Sequence, residues 1–238
     1  MMKTISPTDI ILVASSLVLL MGIIPLFSNF LTKLNIDTDI RRKIAHNMIA
    51  IPVIPMYIFG VSSAVACLPY VIFGILGTVI LLFTKRMRAW AEDSIKRDEP
   101  GDIYIQGLFM SIGISASILI NWNAGNGPER IFVLLSVGTW AIGDSFANIA
   151  GRKFGKTRFL NYPFYGKKSL EGSIAFFISA FLLQIITIAI FGYFDYTIIL
   201  KIAFIAFIAT FIELVSINGI DSVTVPIYCS IFLNLLKS

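Results

Sequence analysis

Histidine occurs once in this chain, cysteine twice, and charged side chains are sparse. The single His46 cannot form a histidine metal site unaided. Cys67 and Cys229 each stand alone in an apolar stretch, without metal-ligand spacing, and read as small buried hydrophobes. Charged residues make up 14% of the 238, against about a quarter in ordinary soluble domains. No low-complexity linker and no stretch that reads as a soluble domain interrupts the pattern. One integral membrane domain covering residues 1–238 is therefore expected.

What fills the chain instead is apolar. Hydrophobic residues reach 57% and the mean hydropathy is +0.85. They come as long uninterrupted stretches rather than as one face of amphipathic helices, so the apolar surface must include a face turned to lipid. The predicted fold is all-α, a polytopic membrane helix bundle of about eight spans. These fall near residues 9–27, 44–60, 62–83, 104–121, 131–150, 170–192, 196–216 and 222–236. Pro52 and Pro55 should kink the second, and the last is short. The first span follows Lys3 as a signal peptide would, but it lacks a small-residue cleavage pattern and is expected to stay as a helix.

The few charges are distributed unevenly. Lys33, Arg41, Arg42 and Lys43 lie in the first connection, Lys85, Arg86, Arg88, Lys96 and Arg97 in the third, and Arg152, Lys153, Lys156, Arg158, Lys167 and Lys168 in the fifth. The connections between them carry Arg130 as their one basic residue. Cytoplasmic connections retain Lys and Arg, so the basic ones should share the cytoplasmic side, with both termini outside. The net charge of +5 is then mostly a topology signal, and no nucleic acid partner is expected.

Polar residues gather at that cytoplasmic side. Asp144, Ser145 and Asn148 sit near the end of the fifth span, with Asp144 and Asn148 on one face pointing towards Gly151 and Arg152. An ionisable group inside a span usually marks a pathway or a site, although a structural ion pair would also account for it. Gly151-Arg152-Lys153-Phe154-Gly155-Lys156 looks superficially like a P-loop. It has one residue too few before Gly-Lys-Thr and no preceding strand, so that assignment fails. The glycines still let backbone amides approach phosphate oxygens, and the basic residues can neutralise them. Gly166-Lys167-Lys168-Ser169-Leu170-Glu171-Gly172 opens the sixth span, where helix N-terminal amides favour an anion, unless its lysines only set topology. Glu213 lies a turn from the cytoplasmic end of the seventh span, and Asp221 follows Asn218-Gly219. These carboxylates could converge with Asp144 on Mg²⁺, or Asp221 could simply cap the last helix. Arg42, Lys43 and His46 share one helix start, with His46 as readily structural as catalytic.

Taken together these segments resemble the CTP-dependent lipid kinases, which comprise dolichol kinase, phytol kinase and the fungal type of diacylglycerol kinase. The resemblance rests on four segments. They are Arg42-Lys43 with His46, Gly143-Asp144-Ser145-Phe146-Ala147 running into Gly151 to Lys156, Gly166 to Ser173, and Glu213 with Asp221 to Pro226. It covers roughly residues 41–227, and the span count is closer to the short phytol-kinase type than to long dolichol kinases. The sequence departs in having Ser222 where a second polar amide often follows the aspartate.

The resemblance implies transfer of the γ-phosphoryl group of CTP to the hydroxyl of a membrane-dissolved isoprenoid alcohol such as a polyprenol, phytol or geranylgeraniol. It implies catalytic roles for Asp144, Asp221, Glu213 and His46, with Mg²⁺ held by the three carboxylates. Arg42, Lys43, Asn148, Gly151, Arg152, Gly155, Lys156, Lys167, Lys168, Ser169 and Glu171 would bind the nucleotide. Phosphoryl transfer needs metal-holding carboxylates and a basic clamp, which these segments could supply. A homo-oligomer stays open. A phosphatidate cytidylyltransferase is the nearest rival, but its usual C-terminal signature contains a His-Gly-Gly turn, and no histidine follows His46. A small lipid transporter or scramblase would use Asp144 and Glu213 as a pathway, and no convincing inverted repeat supports it.

Overall fold

The computed structural model describes residues 5–94, 103–122, 130–158, 168–192, 196–217 and 219–235. Ser6 opens the first helix with a capping box shared with Asp9, and Pro7 occupies the first turn, where its missing N–H costs nothing. Helix α1 (Pro7–Val18) runs through one π-helical turn, Leu19–Ile23, into α2 (Ile24–Lys33). The predicted second span divides at Pro52 into α3 (Thr38–Ala50) and α4 (Val53–Ile58), neither long enough to cross a bilayer.

The remaining helices are α5 (Ser63–Phe83), α6 (Lys85–Ser94), α7 (Ile103–Trp122), α8 (Ile131–Phe154), α9 (Leu170–Ile190), α10 (Tyr196–Val215) and α11 (Asp221–Leu235). Six helical stretches have the length and hydropathy of a span: the continuous segment Pro7–Lys33, then α5, α7, α8, α9 and α10. Helix α11 is apolar but shorter. The bundle of membrane helices is as expected; of the eight stretches anticipated, six have the length of a span, the second is divided into α3 and α4, and the last, α11, is shorter. Among the described residues there is no sheet, only a single bridge between Arg158 and Ser169.

Helix α8 is the axis of the bundle. In its most apolar stretch 61% of residues are buried, against 22–39% in the other five spans. Helix α9 lies along it at close range because Gly143 leaves room for the Phe176 ring and Gly172 for the Ala147 carbonyl. Helix α11 packs on α7 and α8, and a Cβ on Gly113 would collide with the Ser222 backbone. The outward faces carry Leu182, Ile186, Leu200, Phe204, Phe207 and Phe211, an apolar exterior that matches lipid. At the far end of α8 from Asp144, Trp122 Nε1 donates to the Val61 carbonyl at 2.6 Å and Arg130 lies over the Trp122 ring.

Candidate active site

Asp37 Oδ1 accepts from the amides of Asp39 and Ile40, at 3.0 and 3.4 Å, and so starts α3. The helix then turns Arg41, Lys43, His46 and Ile49 inward. Lys43 Nζ donates to Asp144 Oδ2 at 2.5 Å, joining residues 101 positions apart. His46 Nε2 stands 3.5 Å from the same oxygen, and its ring lies 4.1 Å from that of Trp140. Asn47 Nδ2 donates to Ser145 Oγ at 2.7 Å, a second tie between α3 and α8. Burial pulls both the Arg42 guanidinium and the Lys43 ammonium below their ordinary values, while the carboxylates of Asp144 and Asp221 pull them back up. The Lys43–Asp144 pair therefore sits in a poorly solvated corner within reach of the Arg42 and Asp221 charges.

The other half of the cluster is built at the start of α9. Ser169 Oγ accepts from the Gly172 amide at 3.1 Å and caps the helix. Just before it, Lys168 Nζ donates to Glu213 Oε1 at 2.5 Å and to the Glu213 carbonyl oxygen. Glu213 is only 6% exposed, so its charge depends on that partner. The Lys168 charge also reaches Asp144, and those of Asp144 and Asp221 reach Glu213. Hydrogen-bonded pairs thus tie α3 to α8 and the start of α9 to α10, and the Asp221 charge at the start of α11 acts on both.

Beyond the end of α8 the chain folds back on α9. The Leu170 amide donates to the Thr157 carbonyl at 2.9 Å. Glu171 Oε1 accepts from the amides of Lys156 and Thr157, at 3.1 and 3.2 Å. Gly151 faces Gly172 across the helix contact, and a Cβ on Gly155 would collide with the Gly151 carbonyl and stand 2.8 Å from Ser169 Oγ. Each of these glycines therefore has a packing duty, whatever it does for phosphate. Arg152, Lys153, Lys156 and Arg158 are exposed around this fold. Lys167 lies outside the described residues.

Three residues that sequence reasoning passed over belong to the site. Asn47 and Trp140 hold Ser145 and His46. Asp39 Oδ1 accepts from Arg42 Nη2 at 3.0 Å, and its Oδ2 pairs with Arg152 Nη1. The only signal for Asp39 was its position three residues before Arg42, which puts the two side chains on one helix face.

No protein-family model matches the chain. It is 24% identical over 229 residues to a probable chloroplastic phytol kinase of Zea mays, an alignment covering 91% of this chain and 73% of that one. It is 27% identical over 205 residues to a probable chloroplastic phytol kinase of Oryza sativa, covering 81% and 62%. It is 26% identical over 169 residues to a dolichol kinase of Saccharomyces cerevisiae, covering 67% and 29%. The chain is a relative of the phytol and dolichol kinases. It spans less than two thirds of the rice protein and under a third of the yeast one.

Kinship to phytol and dolichol kinases implies a nucleotide donor, and phosphoryl transfer from nucleotides works with a divalent metal. Among the described residues no three His, Cys, Asp or Glu side chains gather closely enough to enclose an ion by themselves. A hard cation held by one or two carboxylates and substrate phosphates needs no such cage. Asp144 and Asp221 act on the same two cations, and one turn past Asp144 the buried Asn148 Oδ1 has no hydrogen-bond partner among the described residues. Carboxylate and amide oxygens of this kind suit a hard divalent cation.

Proposed function

We propose that this chain is an integral membrane lipid kinase that moves the γ-phosphoryl group of CTP to the hydroxyl of an isoprenoid alcohol at the cytoplasmic face. The observation that carries the reading is the Lys43–Asp144 pair, which brings a cation from far upstream onto a half-buried carboxylate, together with the Lys168–Glu213 pair at the start of α9. Kinship to phytol and dolichol kinases supplies the chemistry for which such a cluster would serve.

In this reading the nucleotide's terminal phosphates enter between α3 and the start of α9. Arg42, Lys43, Arg152, Lys156, Lys167 and Lys168 neutralise them, and the backbone around Gly151, Gly155 and Ser169 shapes the contact. Asp144 and Asp221, with Asn148, would hold Mg²⁺, which when bound offsets the charge on the transferring group. The bond between the γ-phosphorus and the β-phosphate oxygen breaks, a bond to the alcohol oxygen forms, and the alcohol proton passes to Asp144 or Asp221. Glu213 fixes Lys168, and Glu171 holds the Lys156–Thr157 backbone in place. His46 orients the Asp144 carboxylate.

The test is incubation of purified protein with Mg²⁺ and CTP or ATP labelled at the γ or α position, with phytol, geranylgeraniol, polyprenol and diacylglycerol as acceptors. Lipid labelled only from the γ position, with an isoprenoid alcohol as acceptor and CTP as the better donor, is expected. Label arriving from the α position would make the chain a cytidylyltransferase. No transfer from either position would remove catalysis and favour a lipid transporter.

A further inference from the structure

Asp39 stands at the only place where arginines from two distant segments meet one carboxylate among the described residues. Its carboxylate is shared between them: Oδ1 accepts from Arg42 of its own helix, and the Arg152 guanidinium at the end of α8 lies against the same group. Arg42 is largely buried, with a side chain 15% exposed, whereas that of Arg152 is 51% exposed. The pair therefore reaches from a largely buried position to the aqueous rim, with Asp39 between the two.

Two guanidinium groups repel at close range, and the outer one, half in water, would gain side-chain entropy by leaving. A carboxylate between them removes both tendencies and still leaves the trio at net charge +1. Arg42 retains an inward donor, because its buried Nε has no hydrogen-bond partner among the described residues. A guanidinium held through one edge keeps the other for bidentate contact with a phosphate.

We infer that Asp39 is a positioning residue that assembles Arg42 and Arg152 into a two-arginine clamp for the polyphosphate of the nucleotide. This rests on the kinase reading above for the identity of the anion. Asp39 touches no phosphate itself and acts through the two arginines. The opposite role is also physically available: a carboxylate lying on two arginines competes with phosphate, and removing it would then tighten binding. The sign of the effect separates the two.

The experiment measures nucleotide KM and kcat, together with displacement of a fluorescent nucleotide by inorganic tripolyphosphate, for the wild type and for Asp39→Asn, Asp39→Glu, Arg152→Ala and Asp39→Asn/Arg152→Ala. Asp39→Asn should raise KM and weaken tripolyphosphate binding by roughly tenfold or more, the scale of one lost hydrogen bond to a charged group. Asp39→Glu should recover most of both. The double variant should be no weaker than the worse single variant, because both changes remove the same clamp. Tighter binding in Asp39→Asn, additive losses in the double variant, or a loss of folded protein with unchanged KM in Asp39→Glu would each overturn the inference. A wild type that binds tripolyphosphate through Asp39 but phosphorylates no alcohol would remove the kinase reading alone. A wild type that phosphorylates alcohols with a KM indifferent to Asp39 would remove the clamp alone.

Discussion

At the residue scale, the structure changes what Asp144→Asn should do. Considered in the sequence alone, a neutral amide is easier to keep in an apolar helix than a carboxylate, and little folded protein should be lost. With Lys43 Nζ on its oxygen, the amide instead leaves a buried ammonium without its counter-charge, at a cost of about 3 to 5 kcal/mol. Lys43→Met should cost a similar amount, and the double variant should regain much of the stability because both charges are gone. Activity should stay lost in all three. Melting curves and turnover measured on the same preparations check this, and a double variant that recovers activity would reduce the pair to a structural tie. Asp144, Lys168 and Glu213 were legible in the sequence because an ionisable group beside apolar helices must have a partner. Which partner each takes was not legible, since Lys43 and Asp144 are joined only by the way α3 docks on α8. Asp39 was masked by an ordinary explanation: an acid in the first turn of a helix needs no further reason.

At the element scale, the glycines of α8 and α9 are where sequence reasoning was most ambiguous. A glycine permits both close approach of a phosphate and close approach of another helix, and nothing local separates the two. The helices that carry them supply a definite test. A Cβ on Gly143 would stand 2.7 to 3.0 Å from three atoms of the Phe176 ring, and Phe176 is fully buried and cannot retreat. Gly143→Ala should therefore destabilise the fold by about 1 to 3 kcal/mol, the usual cost of overpacking. A Phe176→Leu change in the same chain should relieve part of that loss, with thermal unfolding in detergent as the measurement. An unchanged melting temperature in Gly143→Ala would mean that α8 and α9 stand further apart than described. The division of the predicted second span was partly legible, because Pro52 and Pro55 announced a kink. Its depth was not, because how far a helix yields at proline depends on the neighbours that take up the freed backbone groups.

At the scale of the whole molecule, the basic connections and the site are expected to share the cytoplasmic side, and a labelling experiment tests this. The buried Cys67 and Cys229 should stay silent to a membrane-impermeant thiol reagent, so introduced cysteines report alone. Lys153→Cys should react only from the cytoplasm and Tyr196→Cys only from outside. Labelling of both from one side would break the expected topology. The lengths of the elements around the site carry one more consequence. Helix α11 has 15 residues, about 22 Å of helix at 1.5 Å per residue, whereas a bilayer's hydrocarbon layer is about 30 Å thick. Its first residue is Asp221, and the short α3 carries Lys43 and His46, so two short helices begin at the polar cluster. A bilayer that thinned around α11 would relieve the mismatch and would bring the leaflet, with the hydroxyl heads dissolved in it, towards the polar cluster. Turnover in liposomes of short-chain lipid should therefore exceed turnover in long-chain liposomes at equal nucleotide KM, which makes the thickness of the host membrane part of the enzyme's working geometry.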